Sequence, residues 1–325
     1  MMVLHMLLLV VGFAALIKGA DLFVDGSSAL AGNFKIHKVI IGLTIVAMGT
    51  SAPELAVSTS AALQGSNEIA LSNVVGSNIF NLFGVLGICA VIHPVPVDRV
   101  ILRRDIPISI MAAALLLLMT SAGVLFSGEF LQCEMNEIVG GVSRFTGVVL
   151  LVIFFCYNFY LITDAKKKAG DEESGENIPT WKCAVLILSG LVLIIGGGQA
   201  VVYGAKAVAR SFGMSETLIG LTIVAVGTSL PELVTSVVAS RKGEAGLAVG
   251  NVVGSNIFNI LFILGISSVI HPIGVNAASV YDMVILIGIS ILVFLFAMKG
   301  KTINRIEGVI MLLIYAADMV FAVMR

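Results

Sequence analysis

Two stretches of this chain are near copies of each other, and any fold it adopts must accommodate the duplication. Ile41-Gly42-Leu43-Thr44-Ile45-Val46-Ala47 returns as Ile219-Gly220-Leu221-Thr222-Ile223-Val224-Ala225. Gly49-Thr50-Ser51-Ala52-Pro53-Glu54-Leu55 returns as Gly227-Thr228-Ser229-Leu230-Pro231-Glu232-Leu233. The run Asn73 to Asn81 (NVVGSNIFN) recurs unchanged as Asn251 to Asn259, and Val91-Ile92-His93-Pro94 reappears as Val269-Ile270-His271-Pro272. No gap is needed from Ile41 to Pro94, and about 33 of those 54 positions are identical. Ancestry alone would explain a shared apolar pattern. It does not explain why identity concentrates in the polar, helix-breaking segments. A weaker echo links Arg144 and Gly147 to Arg305 and Gly308.

The rest of the chain is apolar. Of its 325 residues, 58% are hydrophobic and 12% charged, and mean hydropathy is +1.07. Soluble domains carry about a quarter charged residues, so this composition belongs to a lipid-embedded protein. The net charge of −1 points to no nucleic-acid partner. Stretches long enough to span, at about 20 residues each, fall near 3–31, 36–63, 68–92, 105–127, 143–163, 181–210, 214–240, 244–271, 280–299 and 303–324. The first is not read as a cleaved signal, because it lacks a basic start and continues past Lys18 into Asp21 and Asp25. Cys89, Cys133, Cys156 and Cys183 show no metal-ligand spacing and are read as buried thiols.

Each copy of the repeat belongs to five spans. Five is odd, so the second half crosses the membrane in the opposite sense, which makes an inverted repeat about a two-fold axis in the membrane plane. The expected fold is therefore an all-α integral membrane protein of ten transmembrane helices. Residues 1–163 form the first five-helix repeat, 164–180 a cytoplasmic linker and 181–325 the second repeat. With the N-terminus outside, the inner loops collect most of the Lys and Arg, including Lys35, Lys38, Arg103, Arg104, Lys166, Lys242 and Arg305; the outer side keeps Arg144, Arg210 and Arg325. That bias predicts an N-out, C-out, multi-pass protein of the cell membrane.

Glu54 and Glu232 lie near the middle of their spans, where a charge costs about 2.5–3.5 kcal/mol on insertion scales. Neither segment offers a Lys or Arg, so the counterion is a proton or a bound cation. Pro53 and Pro231 lack an N–H and crowd the preceding turn, so both helices should kink and turn carbonyls near Ala47–Thr50 and Ala225–Thr228 into a cavity. Thr50 and Ser51 share a helical face with Glu54, and on the next span Ser77 lies four residues from Asn81, as Ser255 does from Asn259. Oxygen ligands without Cys or His suit Na⁺, Ca²⁺ or Mg²⁺. Asn78 and Asn256 are candidates for holding opened backbone. Gly76 and Gly254 serve either close packing or ion access. His93 and His271 are read as helix ends, and Lys18, Asp21 and Asp25 as an interfacial charge cluster.

GTSAPEL with GSNIFN in one half, and GTSLPEL with GSNIFN in the other, resemble the two alpha-repeats of the sodium/calcium exchanger family, prokaryotic type. The resemblance implies ten helices, a site formed by helices 2, 3, 7 and 8, and helices 1 and 6 that slide during alternating access. It implies that Glu54 and Glu232 ligate calcium with the Thr50 and Thr228 carbonyls. It places Ser51, Ser77 and the Ala47 carbonyl at one flanking Na⁺ site, Ser229, Ser255 and the Ala225 carbonyl at its mirror, and Asn81 and Asn259 at the centre. Asn at both central positions, where some members carry Asp at the second, implies potassium independence. The expected protein is a monomeric antiporter exchanging Na⁺ for Ca²⁺, with a proton/calcium antiporter as the alternative. Its only partners are its cations and membrane lipid; no cofactor and no enzymatic activity are expected, since no HExxH helix and no serine nucleophile with a base is present.

Overall fold

The computed structural model describes residues 2–65, 67–127, 130–168, 178–212 and 225–324, which are almost entirely helical. Helix α1 (Met2–Phe34) is followed by α2 (Lys38–Thr50) and α3 (Ala52–Leu63), which meet at a bend of 49°. Then come α4 (Glu68–Ile92), α5 (Ile101–Ser127), α6 (Arg144–Lys168) and α7 (Thr180–Ser211). The expected seventh span starts at 214, and its first part, with Ile219 to Val224 of the repeat, lies outside the described residues. Its described part is α8 (Ala225–Thr228) and α9 (Leu230–Arg241). The chain closes with α10 (Ala245–Ile270), α11 (Ala277–Gly300) and α12 (Arg305–Met324). Among the described residues, eight helices are long and apolar enough to cross a membrane, and the bent pair α2–α3 adds a ninth.

Burial sorts the helices. The most apolar windows of α4 and α10 are 78% buried, against 33% for α1 and α7 and 17% for α12. So α4 and α10 form the centre, while Leu4, Val10 and Ile17 on α1, Phe155 and Phe159 on α6, and Leu313 on α12 turn outward as a lipid-facing surface. Cys89 and Cys183 are buried as read, but Cys156 is exposed on the outer face of α6 and Cys133 is half-buried. An apolar run in a membrane protein has a lipid side as well as a core side.

Pieces of the two halves pack across each other. Gly147 on α6 sits against Gly265 on α10, and its mate Gly308 on α12 against Gly87 on α4; a Cβ at Gly147 or Gly308 would stand 2.7 or 2.8 Å from the facing carbonyl oxygen. Two short antiparallel ribbons do the same outside the helices: β1 (Val95–Pro96) pairs with β4 (Thr302–Ile303), and β2 (Ile138–Val142) with β3 (Ile273–Asn276).

Along α1 and α7 the glycines come seven apart, at Gly12, Gly19 and Gly26 and at Gly190, Gly197 and Gly204. A Cβ at Gly19 would lie 2.8 Å from the Gly190 carbonyl oxygen, and one at Gly190 2.7 Å from that of Gly19. The two long helices therefore touch backbone to backbone, the approach that small residues allow in membranes.

Several charged groups pair. Lys18 pairs with Asp21 at 3.1 Å, and Lys242 joins that cluster through Asp21 and Asp25. Lys38 bridges to Glu244 at 2.6 Å, and Ser28 donates to the same carboxylate. His93 and His271 leave the helical conformation at the ends of α4 and α10, each with a ring nitrogen beside the carbonyl of the following proline. Helix α5 begins at Ile101 rather than 105, and in its first turn half-buried Arg104 pairs with buried Asp105.

Candidate cation site

The proline predicted to open each repeated helix does so. Pro53 and Pro231 are the second residues of α3 and α9, where a missing N–H costs no helical bond. The residue before each helix carries the break, Ser51 at φ −81°, ψ 11° and Ser229 at φ −92°, ψ 10°. Glu54 and Glu232 thereby fall in the first turns of two 12-residue helices. A helix N-terminus favours negative charge through its unpaired N–H groups and its dipole.

Both glutamates are fully buried. Their partners come from the opposite half: Ser51 Oγ donates to Glu232 Oε1 at 2.7 Å, and Ser229 Oγ donates to Glu54 Oε1 at 2.9 Å. Each crossed bond satisfies one oxygen. The other oxygen of each, Glu54 Oε2 and Glu232 Oε2, is buried with no hydrogen-bond partner among the described residues.

Four asparagines close the centre. Asn78 Nδ2 donates to the Asn256 carbonyl and Asn256 Nδ2 to the Asn78 carbonyl, both at 3.2 Å, clamping α4 to α10 as expected for side chains that hold backbone. Asn81 Nδ2 donates to Asn256 Oδ1 at 3.2 Å, and Asn259 Nδ2 to Asn78 Oδ1 at 2.9 Å. With both amide donors directed to that clamp, Asn81 Oδ1 and Asn259 Oδ1 are also left buried and unpartnered. Asn81 and Asn259 stand in and at the start of wide π-helical turns, Phe80–Val85 and Asn259–Ile263, a distortion that recurs at functional sites.

The flanking groups are shared between halves differently from the grouping that the resemblance implied. Ser255 Oγ lies 3.5 Å from the Ala47 carbonyl, and a Cβ on Gly254 would meet that of Ala47 at 2.9 Å. Helix α10 of the second half thus packs on α2 of the first, so Ser255, not Ser77, stands beside Ala47. Helix α4, which carries Ser77, contacts α8, which begins at Ala225. The Ala47 carbonyl also accepts the Ser51 N–H at 3.0 Å. Gly254 serves close packing, whereas a Cβ on Gly76 would have no described neighbour within 4 Å.

Two residues went unnoticed in the sequence. Asn73 Nδ2 donates to Ser58 Oγ at 3.0 Å and to the Glu54 carbonyl at 3.3 Å; Asn251 repeats this with Ser236 at 3.0 Å and the Glu232 carbonyl at 3.5 Å. Asn251 Oδ1 also accepts from Thr50 Oγ1 at 3.0 Å. The signal was present: Asn73 and Asn251 open the unchanged nine-residue run, directly after positions that differ. Replacing Asn251 with Ala should destabilise the protein by about 1–3 kcal/mol, because buried partners lose their bonds. Thermal unfolding in detergent, with the wild type alongside, measures it.

The arrangement suits cations. Four buried oxygen acceptors, two of them carboxylate, are left without donors among the described residues, while buried polar groups in folded proteins are nearly always paired. Among the described residues no cluster of three or more His, Cys, Asp or Glu exists, so hydroxyl, amide and carbonyl oxygens must complete any coordination, which suits hard ions.

Comparison with known proteins agrees with this chemistry. The family model described as "Sodium/calcium exchanger protein" matches residues 4–163 and 182–324. The putative antiporter CaxA of Alkalimonas amylolytica is 38% identical over 326 residues, covering 97% of both chains. The sodium/calcium exchanger MaX1 of Methanosarcina acetivorans is 34% identical over 346 residues, covering 98% of this chain and 99% of its own. The solved structure of the sodium-calcium exchanger NCX_Mj soaked with 2.5 mM Na⁺ and 0.1 mM Ca²⁺ superposes with a TM-score of 0.82 at 31% identity, covering 98% of this chain and 99% of that one. With both halves matched and the fold shared along its whole length, this chain belongs to the sodium/calcium exchanger family.

Proposed function

We propose that the protein exchanges Na⁺ for Ca²⁺ across the cell membrane by alternating access, as a monomer of ten transmembrane helices with both termini outside. The observation that carries this reading is the set of four unpartnered acceptors, Glu54 Oε2, Glu232 Oε2, Asn81 Oδ1 and Asn259 Oδ1. Two carboxylates neutralise one divalent ion, and with the Thr50 and Thr228 carbonyls they supply about six oxygens, the lower end of calcium's usual range. The same carboxylates, divided among Na⁺ ions flanked by Ser51, Ser229, Ser77, Ser255 and the carbonyls of Ala47 and Ala225, serve monovalent ions instead. Because both ions need the same two charges, the site holds one kind at a time, and that exclusion is what couples their fluxes.

Access to each face requires the bundle to rock about this site. The α1–α7 contact suits such motion, since backbones in contact with few interlocking side chains slide with little repacking. Beside the second bend a cavity of about 320 Å³, lined by Pro53, Gly198, Gln199, Thr228 and Pro231, approaches the site from the α7 side.

Calcium uptake into vesicles separates sodium from proton coupling. An imposed Na⁺ gradient, with pH equal on both sides, is expected to drive Ca²⁺ accumulation. A pH gradient in the absence of Na⁺ is expected to drive none. The reverse pattern would make the protein a proton/calcium antiporter.

A further inference from the structure

The two halves match at a constant separation of 178 residues, that of Asn78 from Asn256, and on it Gly12, Gly19 and Gly26 of α1 fall on Gly190, Gly197 and Gly204 of α7. The 320 Å³ cavity beside the second bend therefore has an inverted copy on the other side of the site. Around the cavity itself Val57 is 37% exposed, and Pro53 and Thr228 are half-buried. Around the copy, the matching Thr235 is 1% exposed, Pro231 is buried and Thr50 is fully buried. Ala20 and Val24 of α1, which match Gly198 and Val202 in the cavity wall, are buried as well. One side of the site is open and its copy is shut.

Charge fastens the shut side. Lys242, at the end of α9, pairs with Asp21 and, at 2.6 Å, with Asp25, both on α1; it also donates to the Asp21 carbonyl at 3.3 Å. Glu244, just before α10, accepts from Ser28 of α1 at 2.9 Å and from Lys38 of α2 at 2.6 Å. On the open side Gln199, Tyr203 and Lys206 stand where Asp21, Asp25 and Ser28 do, and Gln64 stands in the place of Lys242. Gln64 donates to Ser60 of its own helix at 2.9 Å, and among the described residues no ion pair joins α7 to α3. The shut side also holds an unsatisfied group. Thr235 Oγ1 is buried with no hydrogen-bond partner among the described residues, whereas its match in the open cavity, Val57, is apolar. A buried hydroxyl without a partner costs free energy that water would return, so the shut side favours being wetted at another stage.

Resting on the antiport reading above and its orientation, we propose that Lys242 and Glu244 latch α1 over the inner side of the site, holding an outward-open state, and that this latch parts when the inner side opens. Ion pairs as exposed as these are individually weak and are screened by salt. That suits a latch which must part in every transport cycle. It biases two states without trapping one, since each tenfold change in their ratio takes only a small difference in contacts.

The test is the rate at which membrane-impermeant thiol reagents reach Thr235→Cys from the inner face and Val57→Cys from the outer face. It uses the full chain in oriented vesicles, with the native cysteines alone as the blank. Adding Lys242→Gln is expected to raise the rate at Thr235→Cys about three- to tenfold. It should also lower the rate at Val57→Cys by up to about twofold, with cationic and anionic reagents alike. Lys242→Arg, which keeps the charge, should leave both rates within about twofold. Should Lys242→Gln fail to fold, choline chloride at about 1 M, where charges are screened beyond about 3 Å, is expected to move both rates the same way with the latch unsubstituted. Unchanged rates, or rates that rise together at both positions as in general loosening, would overturn the latch. Absence of sodium-driven calcium flux in the wild type would instead overturn the antiport reading, whatever the labelling shows.

Discussion

Replacing Glu54 or Glu232 with glutamine is expected to reduce sodium-driven calcium flux at least a hundredfold, for either substitution alone. Glutamine keeps the size and one acceptor oxygen, so the bond from Ser229 or Ser51 can persist; only the charge is lost. A divalent ion then faces a single carboxylate. One unit charge at about 4 Å, with an effective dielectric constant of about 20, is worth about 4 kcal/mol, and each 1.4 kcal/mol is a factor of ten in affinity. The fold should survive, because the substitution removes a buried charge that, among the described residues, no basic side chain pairs. The melting temperature without divalent ions is therefore expected to stay level or rise, and the increase that Ca²⁺ gives the wild type by binding the folded state should disappear. Flux above about a tenth of wild type in either variant would remove the paired carboxylates from the account.

The second large effect concerns the sliding contact. Leucine at Gly19 or at Gly190 would place its Cβ within 2.8 Å of backbone on the facing helix, and backbone cannot turn aside as a side chain does. Overpacking of this kind costs about 1–3 kcal/mol in well-packed cores, and here it must also separate the two longest helices. Exchange is expected to fall more than about tenfold in each variant. Gly196, on the exposed side of α7 with no described atom within 4 Å of its Cβ, is the control: leucine there should leave exchange within about twofold. Comparable losses at all three positions would mean that bulk anywhere on these helices disturbs insertion, and that the glycine contact has no special part in transport.

Much of this architecture was legible before any coordinates. The duplicated GTSxPEL and GSNIFN segments located the bends, the glutamates and the paired asparagines, since proline removes a donor and an intramembrane acid demands a partner whatever surrounds it. What identity between halves cannot reveal is which copy packs against which. Ser51 shares a helix with Glu54, yet its hydroxyl goes to Glu232; Ser255 matches Ser77, yet it stands beside Ala47. Both outcomes follow from the halves interleaving rather than standing side by side. The seven-residue glycine spacing of α1 and α7 was also in the sequence, but in an apolar helix a glycine announces neither its face nor its neighbour. Helix ends moved for local reasons. Helix α11 starts at Ala277 rather than near 280 because Asn276 caps it, its side chain accepting the Ser279 N–H at 2.9 Å.

The central claim is that one pair of buried carboxylates is neutralised by Ca²⁺ or by Na⁺, never by both together. A density map of the protein equilibrated in calcium without sodium, set beside one in saturating sodium, tests this most directly. A divalent peak in contact with Glu54 Oε2 and Glu232 Oε2 is expected in the first map. In the second it should be gone, with weaker peaks beside Ser51, Ser229, Ser77 and Ser255. Calcium density elsewhere in the bundle, or a calcium peak that saturating sodium leaves in place, would contradict it.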